Sequence, residues 1–496
     1  LERKGFKLSL WLCCDYDLGV YEEMQLAAAK ATAAADVKTA AGATVNVQGG
    51  FIDERLSKPD GTEAGTKDAP QQAQPQGVET WFEHLKKFVD QGAAAFKLDG
   101  SSQVIEHPTR QWGNGMTDEE MHNLYPVIYA KQMAQGFENH TGRRSMIYTA
   151  GGYAGVQQYV ATWAGDTGGG PKPLVSMLNL SLSGHSLMTC DMEVTSKEGI
   201  HFGFLQPWAQ LNSWNYWRQP WYQGSELEST FSFYDHLRYC LLPYLYTMAH
   251  VAHRTGMPIL RAMPLMYPDD PASYEALNQY MLGESLLISA FDQRVHLPAG
   301  DWFDLWTGAS YTGPVDLQYE PPDGRGGGLF MKAGSALPFT ADFAAASGSG
   351  GHIGTATRHG GWSSIGWLVA PGGDCEGLLV EDDGMTYAYE EGCVCDTKVA
   401  WLQRECLGRL VIHPCDATAH RPPDGRGYCV RVIAGSEPAE VLLDGEALPR
   451  DAECGNTWAF GTGLPAPHDV LSVAHLAITL PDVGAGGCEI TIVPER

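Results

Sequence analysis

The stretch Ala93-Ala94-Ala95-Phe96-Lys97-Leu98-Asp99 decides the fold class, because a small, largely apolar run of strand length ends in an aspartate. Trp163-Ala164-Gly165-Asp166 repeats this arrangement farther along the chain. In a barrel of alternating strands and helices, the side chains at the carboxyl ends of the strands converge on one pocket. Asp99 and Asp166 are therefore predicted to share a site, where two carboxylates can divide the roles of acid, base and nucleophile.

Strand and helix patterns alternate on both sides of this stretch. Strands are predicted at 7–12, 145–149 and 186–191, and helices at 81–89, 121–137 and 233–253. Such alternation predicts an α/β fold with a parallel sheet. Residues 25–80, first alanine-rich and then polar, are predicted to form a long insertion loop. Beyond residue 265, short apolar runs separated by Gly, Pro and Asp predict antiparallel β structure, with a Gly and Ser linker at 344–361.

The net charge and the aromatic content of the chain indicate which classes of molecule it can bind. The chain has 496 residues and a formal net charge of -26, which disfavours nucleic acid and anionic membrane surfaces. No apolar run reaches the roughly eighteen residues that a membrane span needs. A neutral, hydroxyl-rich substrate fits this charge, and the 14 tryptophans and 21 tyrosines offer rings that stack on sugars. The 12 cysteines fit either disulfides or buried thiols, so compartment and oligomeric state stay open.

Longer motifs carry a family resemblance. They are Leu237-Arg238-Tyr239-Cys240-Leu241-Leu242-Pro243-Tyr244-Leu245-Tyr246-Thr247, Tyr267-Pro268-Asp269-Asp270, Gln279-Tyr280-Met281-Leu282-Gly283-Glu284, Leu297-Pro298-Ala299-Gly300-Asp301-Trp302 and Glu381-Asp382-Asp383-Gly384-Met385. In this order they closely resemble glycoside hydrolase family 31, the family of retaining α-glucosidases and α-xylosidases. The resemblance covers most of the chain.

The resemblance implies a (β/α)8 TIM barrel followed by two C-terminal β-sandwich domains. The sequence is expected to begin near the third barrel strand, so that the first strands of the barrel are missing from it. The expected domains are a partial TIM-barrel catalytic domain at 1–265, a proximal β-sandwich at 266–345 and a distal β-sandwich at 346–496.

The resemblance also implies retaining hydrolysis of α-linked glycosides, with Asp99 as the nucleophile and Asp166 as the acid/base residue. The expected intermediate is a covalent glycosyl-aspartate, and the mechanism uses neither a metal nor a cofactor. Lys97, Trp163 and Asp191 are expected to bind the substrate, an oligosaccharide or glycoside. The alternatives for Lys97 are a contact with the nucleophile or a structural ion pair. The alternative for Trp163 is core packing, and for Asp191 it is a hydrogen bond to the acid/base residue.

Three departures from the family pattern affect sugar recognition. Ala150 stands where the family usually carries an arginine, Gly100-Ser101 replaces an acidic continuation after Asp99, and the segment 206–214 lacks an expected histidine. The sugar is therefore left open between glucose, xylose and galactose types. A non-catalytic, carbohydrate-binding or regulatory homologue of the family is the alternative function, and transglycosylation or elimination from the same intermediate is a third.

Two acidic clusters suggest structural roles. Glu381-Asp382-Asp383 precedes Gly384, which favours an acidic turn over a calcium site. Asp118-Glu119-Glu120 precedes a helical pattern, where negative charge suits the amino end of the helix.

Overall fold

The computed structural model describes residues 6–13, 46–47, 81–99, 111–112, 118–211, 219–340, 362, 364–404, 407–415, 425–451, 455–461, 474–481 and 487–495. The predicted linker at 344–361 lies outside these residues, as does the predicted insertion at 25–80 apart from 46–47. The chain divides into two compact units, Leu1–Gly165 and Asp166–Arg496. Each unit is described by itself.

The secondary structure alternates between strands and helices up to residue 263 and is dominated by strands thereafter. The α-helices are α1 (Trp81–Asp90), α2 (Asp118–Thr141), α3 (Pro171–Leu182), α4 (Lys197–Phe204), α5 (Ser225–Thr255) and α6 (Met263–Met266). The strands are β1 (Leu8–Cys13), β2 (Asn46–Val47), β3 (Ala93–Asp99), β4 (Gln111–Trp112), β5 (Met146–Thr149), β6 (Ala161–Trp163), β7 (Met188–Thr189), β8 (Asp191–Met192), β9 (Gln210–Leu211), β10 (Leu260–Ala262), β11 (Gln279–Leu282), β12 (Leu286–Ala290), β13 (Arg294–Asp304), β14 (Ser310–Gln318), β15 (Gly327–Lys332), β16 (Ser335–Thr340), β17 (Ser364–Ala370), β18 (Cys375–Glu381), β19 (Cys395–Arg404), β20 (Leu407–Ile412), β21 (Gly427–Ile433), β22 (Pro438–Leu443), β23 (Glu446–Ala447), β24 (Thr457–Gly461), β25 (His475–Leu480) and β26 (Cys488–Pro494).

The first unit contains a parallel sheet in which β1, β3, β5 and β6 lie side by side in that order. Phe96 and Leu98 of β3 are buried and pack against aromatic and aliphatic side chains of α1 and α2. The predicted parallel sheet is therefore confirmed. Cys13 pairs with Asp99 and Leu98 with Thr149, so the carboxyl ends of these strands meet at one edge.

Helix α2 begins where the acidic cluster predicts. Asp118 is its first residue, and the exposed Glu119 lies in its first turn, where the amino end of the helix dipole favours negative charge. Tyr125, Tyr129 and Met133 follow at intervals of four residues and are buried, so one face of the helix covers the sheet.

Helix α5 of the second unit carries the longest family motif. The Tyr244 hydroxyl donates to the Leu282 carbonyl over 2.9 Å and accepts from the backbone N–H groups of Glu284 and Ser285. A Cβ at Gly283 would lie 2.1 Å from that hydroxyl oxygen, so a glycine is needed there. The Thr247 hydroxyl accepts a 3.0 Å hydrogen bond from the Val380 N–H. The motif thus ties the helix to β11 and β18.

Strands after α5 form three sheets. The first has the order β10-β11-β12-β15-β13-β14 and is antiparallel throughout. The other two have the orders β16-β17-β21-β25-β24 and β18-β19-β20-β26-β22-β23. They share one core, to which Trp367 and Ile478 contribute from one sheet and Trp401 and Ile490 from the other. This face-to-face packing is that of a β-sandwich. Within the described residues, the pair β17 and β21 is the one parallel exception in these two sheets.

The carboxylates of the acidic motif 381–383, which begins at the last residue of β18, accept hydrogen bonds from other groups of the protein. Glu381 accepts two 2.7 Å hydrogen bonds from Arg426, and both side chains are buried. Asp382 accepts from the Tyr246 hydroxyl. Asp383 accepts from the backbone N–H groups of Met385 and Thr386, both over 2.8 Å. These contacts match the predicted acidic turn.

Cysteine usage is mixed. Cys395 and Cys415 form a disulfide with their Cα atoms 6.0 Å apart, whereas Cys190 and Cys488 are buried free thiols. In the described ranges, no helix combines the length and apolar character that crossing a bilayer requires.

His296 of β13 makes the second unit sensitive to pH. Its Nε2 lies 2.7 Å from Asp270 and its Nδ1 2.6 Å from Asp316. Burial by itself would lower the pKa of His296, but the hydrogen bonds to the two carboxylates outweigh it and raise the pKa above its usual value. When His296 is protonated, both ring nitrogens donate. The charged imidazolium then links β13 to Asp316 of β14 and to Asp270.

We expect His296→Asn to cost most stability at acid pH. A raised pKa means that the folded state holds the proton more tightly than the unfolded chain, so the contribution is complete below about pH 6.5 and fades as pH rises through the folded pKa. The difference in Tm between wild type and variant, measured from pH 5.5 to 9, should shrink with rising pH. Asp316→Asn should shift this loss to lower pH, and a difference that does not vary with pH would contradict the assignment.

Candidate active site

Asp99 lies at the carboxyl edge of the parallel sheet in the first unit. It is the last residue of β3, and its Oδ2 accepts a 2.8 Å hydrogen bond from the indole Nε1–H of Trp11. Trp11 belongs to β1 and pairs with Lys97, one strand over. Its ring is 65% exposed, so an aromatic surface open to solvent lies directly beside the carboxylate.

Lys97 lies two residues before Asp99 and contacts Trp163. The Lys97 Nζ is 4.3 Å from the centre of the Trp163 ring, a cation–π geometry. Tyr148 of β5 meets the same ring edge-on at 5.9 Å. Trp163 is only 1% exposed, and in the described part of the chain its indole N–H has no hydrogen-bond partner. The ring therefore packs firmly but retains one donor.

The end of β5 shows the consequence of the missing arginine. The Thr149 hydroxyl and the backbone of Gly151 hydrogen-bond to each other, which closes a tight turn around Ala150. Ala150 is exposed and carries no donor in its side chain. Position 150 therefore offers no cation to a ligand at this edge.

Asp166 opens the second unit on an exposed bend. In the described chain, no donor hydrogen-bonds to its carboxylate. Gly168 has a φ of 79°, the left-handed conformation that glycine adopts at little cost. A Cβ at Gly169 would lie 2.4 Å from the Asp191 carbonyl oxygen, so this glycine lets the Asp166 loop pack against β8.

Asp191 is buried, with 5% exposure, and faces strand β9. It pairs with Gln210 in the parallel ladder, and the Gln210 side chain donates a hydrogen bond to Asp191 Oδ1. The side-chain oxygen of Gln210, Oε1, is buried and has no hydrogen-bond partner among the described residues. Gln210 therefore fixes the Asp191 carboxylate through its Nε2 group, while its Oε1 atom accepts no hydrogen bond from the described residues.

Gln206 positions Asp191 by stabilising the break between β7 and β8. Its Oε1 accepts from the Thr189 hydroxyl over 2.9 Å and from the Cys190 N–H over 3.0 Å. Its Nε2 donates to the Cys190 sulfur. Burial raises the pKa of the Cys190 thiol to about 12. Cys190 is thus a protonated packing residue next to Asp191, not a nucleophile.

The predicted site residues fall into two groups. Lys97, Asp99 and Trp163 share the edge of the first unit, and the loop of Asp166 packs on the strand of Asp191 in the second. The pairing of Asp99 with Asp166 stays a prediction. Within the described ranges, no cluster of three or more His, Cys, Asp and Glu side chains is arranged to hold a metal ion.

Sequence reasoning missed Trp11 and Gln210. Trp11 is an aromatic residue within the apolar run of β1. Only the register of β1 on β3 places its indole N–H within hydrogen-bond distance of Asp99. Gln210 lies in the segment noted for its missing histidine, and its link to Asp191 depends on the pairing of two short strands.

A parallel sheet with Asp99 at the carboxyl end of one strand, followed along the chain by mainly antiparallel sheets, is the arrangement of a barrel domain with attached β domains. The model of the glycosyl hydrolases family 31 TIM-barrel domain matches residues 2–248, and that of the family's C-terminal domain matches residues 256–337. The chain belongs to glycoside hydrolase family 31. The predicted TIM barrel followed by β domains is thereby confirmed.

Relatives with known names include an α-glucosidase and an α-xylosidase. Alpha-glucosidase 2 of Bacillus thermoamyloliquefaciens is 29% identical over 63% of this chain and 42% of its own length. The alpha-xylosidase of Saccharolobus solfataricus is 28% identical over 65% of this chain and 47% of its own. The chain thus spans less than half the length of these two relatives.

A solved structure agrees with the fold. A mutant of the Flavobacterium johnsoniae GH31 dextranase, complexed with isomaltotriose, superposes with a TM-score of 0.69 at 23% identity. The superposition covers 83% of this chain and 54% of the dextranase chain. At this identity the likeness concerns the fold alone.

Proposed function

We propose that the chain carries the catalytic core of a retaining α-glycoside hydrolase that acts on oligosaccharides or glycosides. The observation that carries the proposal is Asp99, which lies at the carboxyl end of a parallel barrel strand and is oriented by the Trp11 indole. Strand ends of this kind carry the chemistry of TIM-barrel enzymes. Membership of family 31 supports the same reaction class.

Asp99 acts as the nucleophile in this proposal. Trp11 donates to Oδ2 and so orients the carboxylate, and a carboxylate oxygen of Asp99 attacks the anomeric carbon. As the C–O ester bond forms, the glycosidic C–O bond breaks, and Asp166 protonates the departing oxygen. Asp166 then removes a proton from water, and the water oxygen displaces Asp99 from the anomeric carbon. The exposure of the Asp166 carboxylate suits a group that must exchange protons with solvent.

Lys97, Trp163 and Asp191 bind the sugar in this proposal. The Lys97 ammonium supplies a donor two residues before Asp99, and the Trp163 indole N–H, which has no partner among the described residues, supplies another. Asp191 accepts from sugar hydroxyls while Gln210 holds its carboxylate in place. Because Ala150 supplies no cation, hydroxyl recognition depends on these contacts. The names of the relatives favour glucose or xylose as the sugar, and a galactose type stays open.

The domain boundaries predicted at 265/266 and 345/346 are part of the proposal. The end of helix α5 at Thr255 and the start of the second family match at residue 256 support the first boundary. The separate core of the last two sheets supports a distal domain.

The test is the stereochemical course of hydrolysis by the full chain. It is incubated with 4-nitrophenyl α-glucoside, α-xyloside and α-galactoside, and the first-formed sugar is identified by proton NMR before mutarotation. Retention predicts the α anomer. A β anomer would show inversion and overturn the nucleophile role. Binding of all three glycosides without turnover would establish the non-catalytic alternative.

A further inference from the structure

A cavity of about 380 Å³ lies in the second unit, between the two sheets of the last β-sandwich. Val432 and Leu476 line it from the sheet that contains β21 and β25. Trp401 and Ile492 line it from the sheet that contains β19 and β26. Sandwich cores are normally close-packed, with few voids larger than a water molecule. A mostly apolar cavity of this size is instead typical of a site for a small molecule.

The depth of the cavity is apolar and its opening is polar. Trp401 and Val432 are each 3% exposed and Leu476 is 0% exposed, whereas Gln403 and Ser436 of the lining are exposed. A buried water needs about two to four polar partners, which the apolar depth does not offer through its side chains. The lining therefore favours an apolar molecule over water.

Trp401 adds one hydrogen-bond donor to this apolar lining. Its indole N–H is buried and has no partner among the described residues. A Cβ at Gly408 would lie 2.3 Å from the Trp401 ring, so the glycine lets the ring pack directly on the backbone of β20. A buried donor without an acceptor costs free energy, which the acceptor of a ligand would recover.

The charges around the cavity exclude an ionic ligand. Glu437 is the one charged side chain that the described residues contribute to the lining, and it forms an ion pair with Arg450 over 2.5 Å. A charged ligand would lose its hydration on entering the apolar depth without gaining a counter-charge there. A neutral ligand avoids this cost.

We propose that this cavity binds a small, neutral, largely apolar molecule whose hydrogen-bond acceptor pairs with the Trp401 indole N–H. An engineered cavity of roughly 150 Å³ holds benzene, so the cavity in this sandwich has room for a molecule of about two rings. The inference is independent of the proposed function, because no residue of the lining takes part in the proposed hydrolysis.

The probe for the test is 6-propionyl-2-(dimethylamino)naphthalene, a neutral two-ring ketone whose fluorescence depends on polarity and on hydrogen bonding. The full chain should bind it saturably, with a Kd of roughly 1–100 µM. Trp401→Phe removes the donor but keeps a ring, and should weaken binding about threefold to tenfold. The emission of the bound probe should then move to shorter wavelength, because the ketone loses its hydrogen bond. Trp367→Phe is the matched control, since the Trp367 indole N–H is also buried without a partner among the described residues but lies outside the lining.

Filling the cavity tests its position. Ala434→Phe adds a ring to the lining and should weaken binding of the probe by about tenfold or more. Ala459→Phe, in β24 and equally half-buried but outside the lining, should not. Ser436→Phe, at the exposed opening, fills the cavity from outside and takes the place of Ala434→Phe if circular dichroism shows that variant to be unfolded.

The absence of saturable binding to the wild type would overturn the inference. Wild-type affinity in the folded filled variants would also overturn it, because the probe would then bind elsewhere. Loss of binding in those variants, combined with wild-type affinity and emission in Trp401→Phe, would overturn the assigned hydrogen bond.

Discussion

Asp99→Asn is expected to lower kcat/KM on 4-nitrophenyl α-glycosides by on the order of 10⁴-fold or more, because the amide cannot form the glycosyl ester. Asparagine keeps the size of the side chain and an oxygen that can accept from the Trp11 indole. Folding should therefore be preserved, which circular dichroism and the Tm would show. Activity close to that of the wild type would remove Asp99 from the nucleophile role.

Azide separates the roles of the two aspartates. In Asp99→Asn, azide takes the place of the nucleophile and attacks the anomeric carbon directly, so the product should be a β-glycosyl azide. In Asp166→Ala, azide attacks the covalent intermediate, so the product should be an α-glycosyl azide. Loss of the acid/base residue should cost about 10²- to 10⁴-fold on alkyl leaving groups and less on activated aryl ones.

Glu119→Gln is the matched control for these charge changes. Glu119 is an exposed carboxylate in the first turn of α2 and lies in the acidic cluster assigned to a helix start. Its variant should retain wild-type kcat/KM. A loss comparable to that of Asp99→Asn would mean that the assay reports stability or net charge instead of chemistry.

Arg426→Met is expected to cost about 3–5 kcal/mol in the free energy of unfolding, because it leaves the Glu381 carboxylate buried without its partner. The Arg426 side chain is 0% exposed, and it also donates a 3.0 Å hydrogen bond to the Trp362 carbonyl. Urea denaturation followed by tryptophan fluorescence measures the change, since Trp362, Trp367 and Trp401 lie in the same core.

A second substitution distinguishes an unpaired charge from lost packing. Glu381→Leu combined with Arg426→Met should recover most of the stability, because apolar replacement of a whole buried ion pair is often neutral or better. Arg404→Met breaks the exposed 2.8 Å pair with Asp374 and should cost much less, because solvent screens the two charges. Equal losses in Arg404→Met and Arg426→Met would contradict the argument from burial.

Much of the fold follows from local pattern. The run that ends at Asp99 forms a buried parallel strand, and the helix predicted at 121–137 lies within α2. Both outcomes depend on interactions between residues close in the sequence: apolar runs of strand length, helical periodicity and charge at a helix start. The strand predicted at 186–191 is instead broken at Cys190, because Gln206 replaces a ladder hydrogen bond with one from its side chain.

The residues around the candidate site were less predictable. Lys97 and Trp163 are sixty-six positions apart, and only the order β3-β5-β6 brings the ammonium over the indole. Neither composition nor spacing encodes that order. The same holds for Trp11 and Asp99, which are eighty-eight residues apart and meet through strand register.

The sequence by itself determined the family, the α/β class of the barrel and the position of Asp99 at a strand end, because these depend on periodicity and on motifs read along the chain. Only the tertiary structure decided which groups contact the carboxylates of Asp99, Asp191 and Glu381. The indole on Asp99, the amide on Asp191 and the guanidinium on Glu381 all come from distant segments, and they are brought together when strands pair and cores form, which no local pattern specifies.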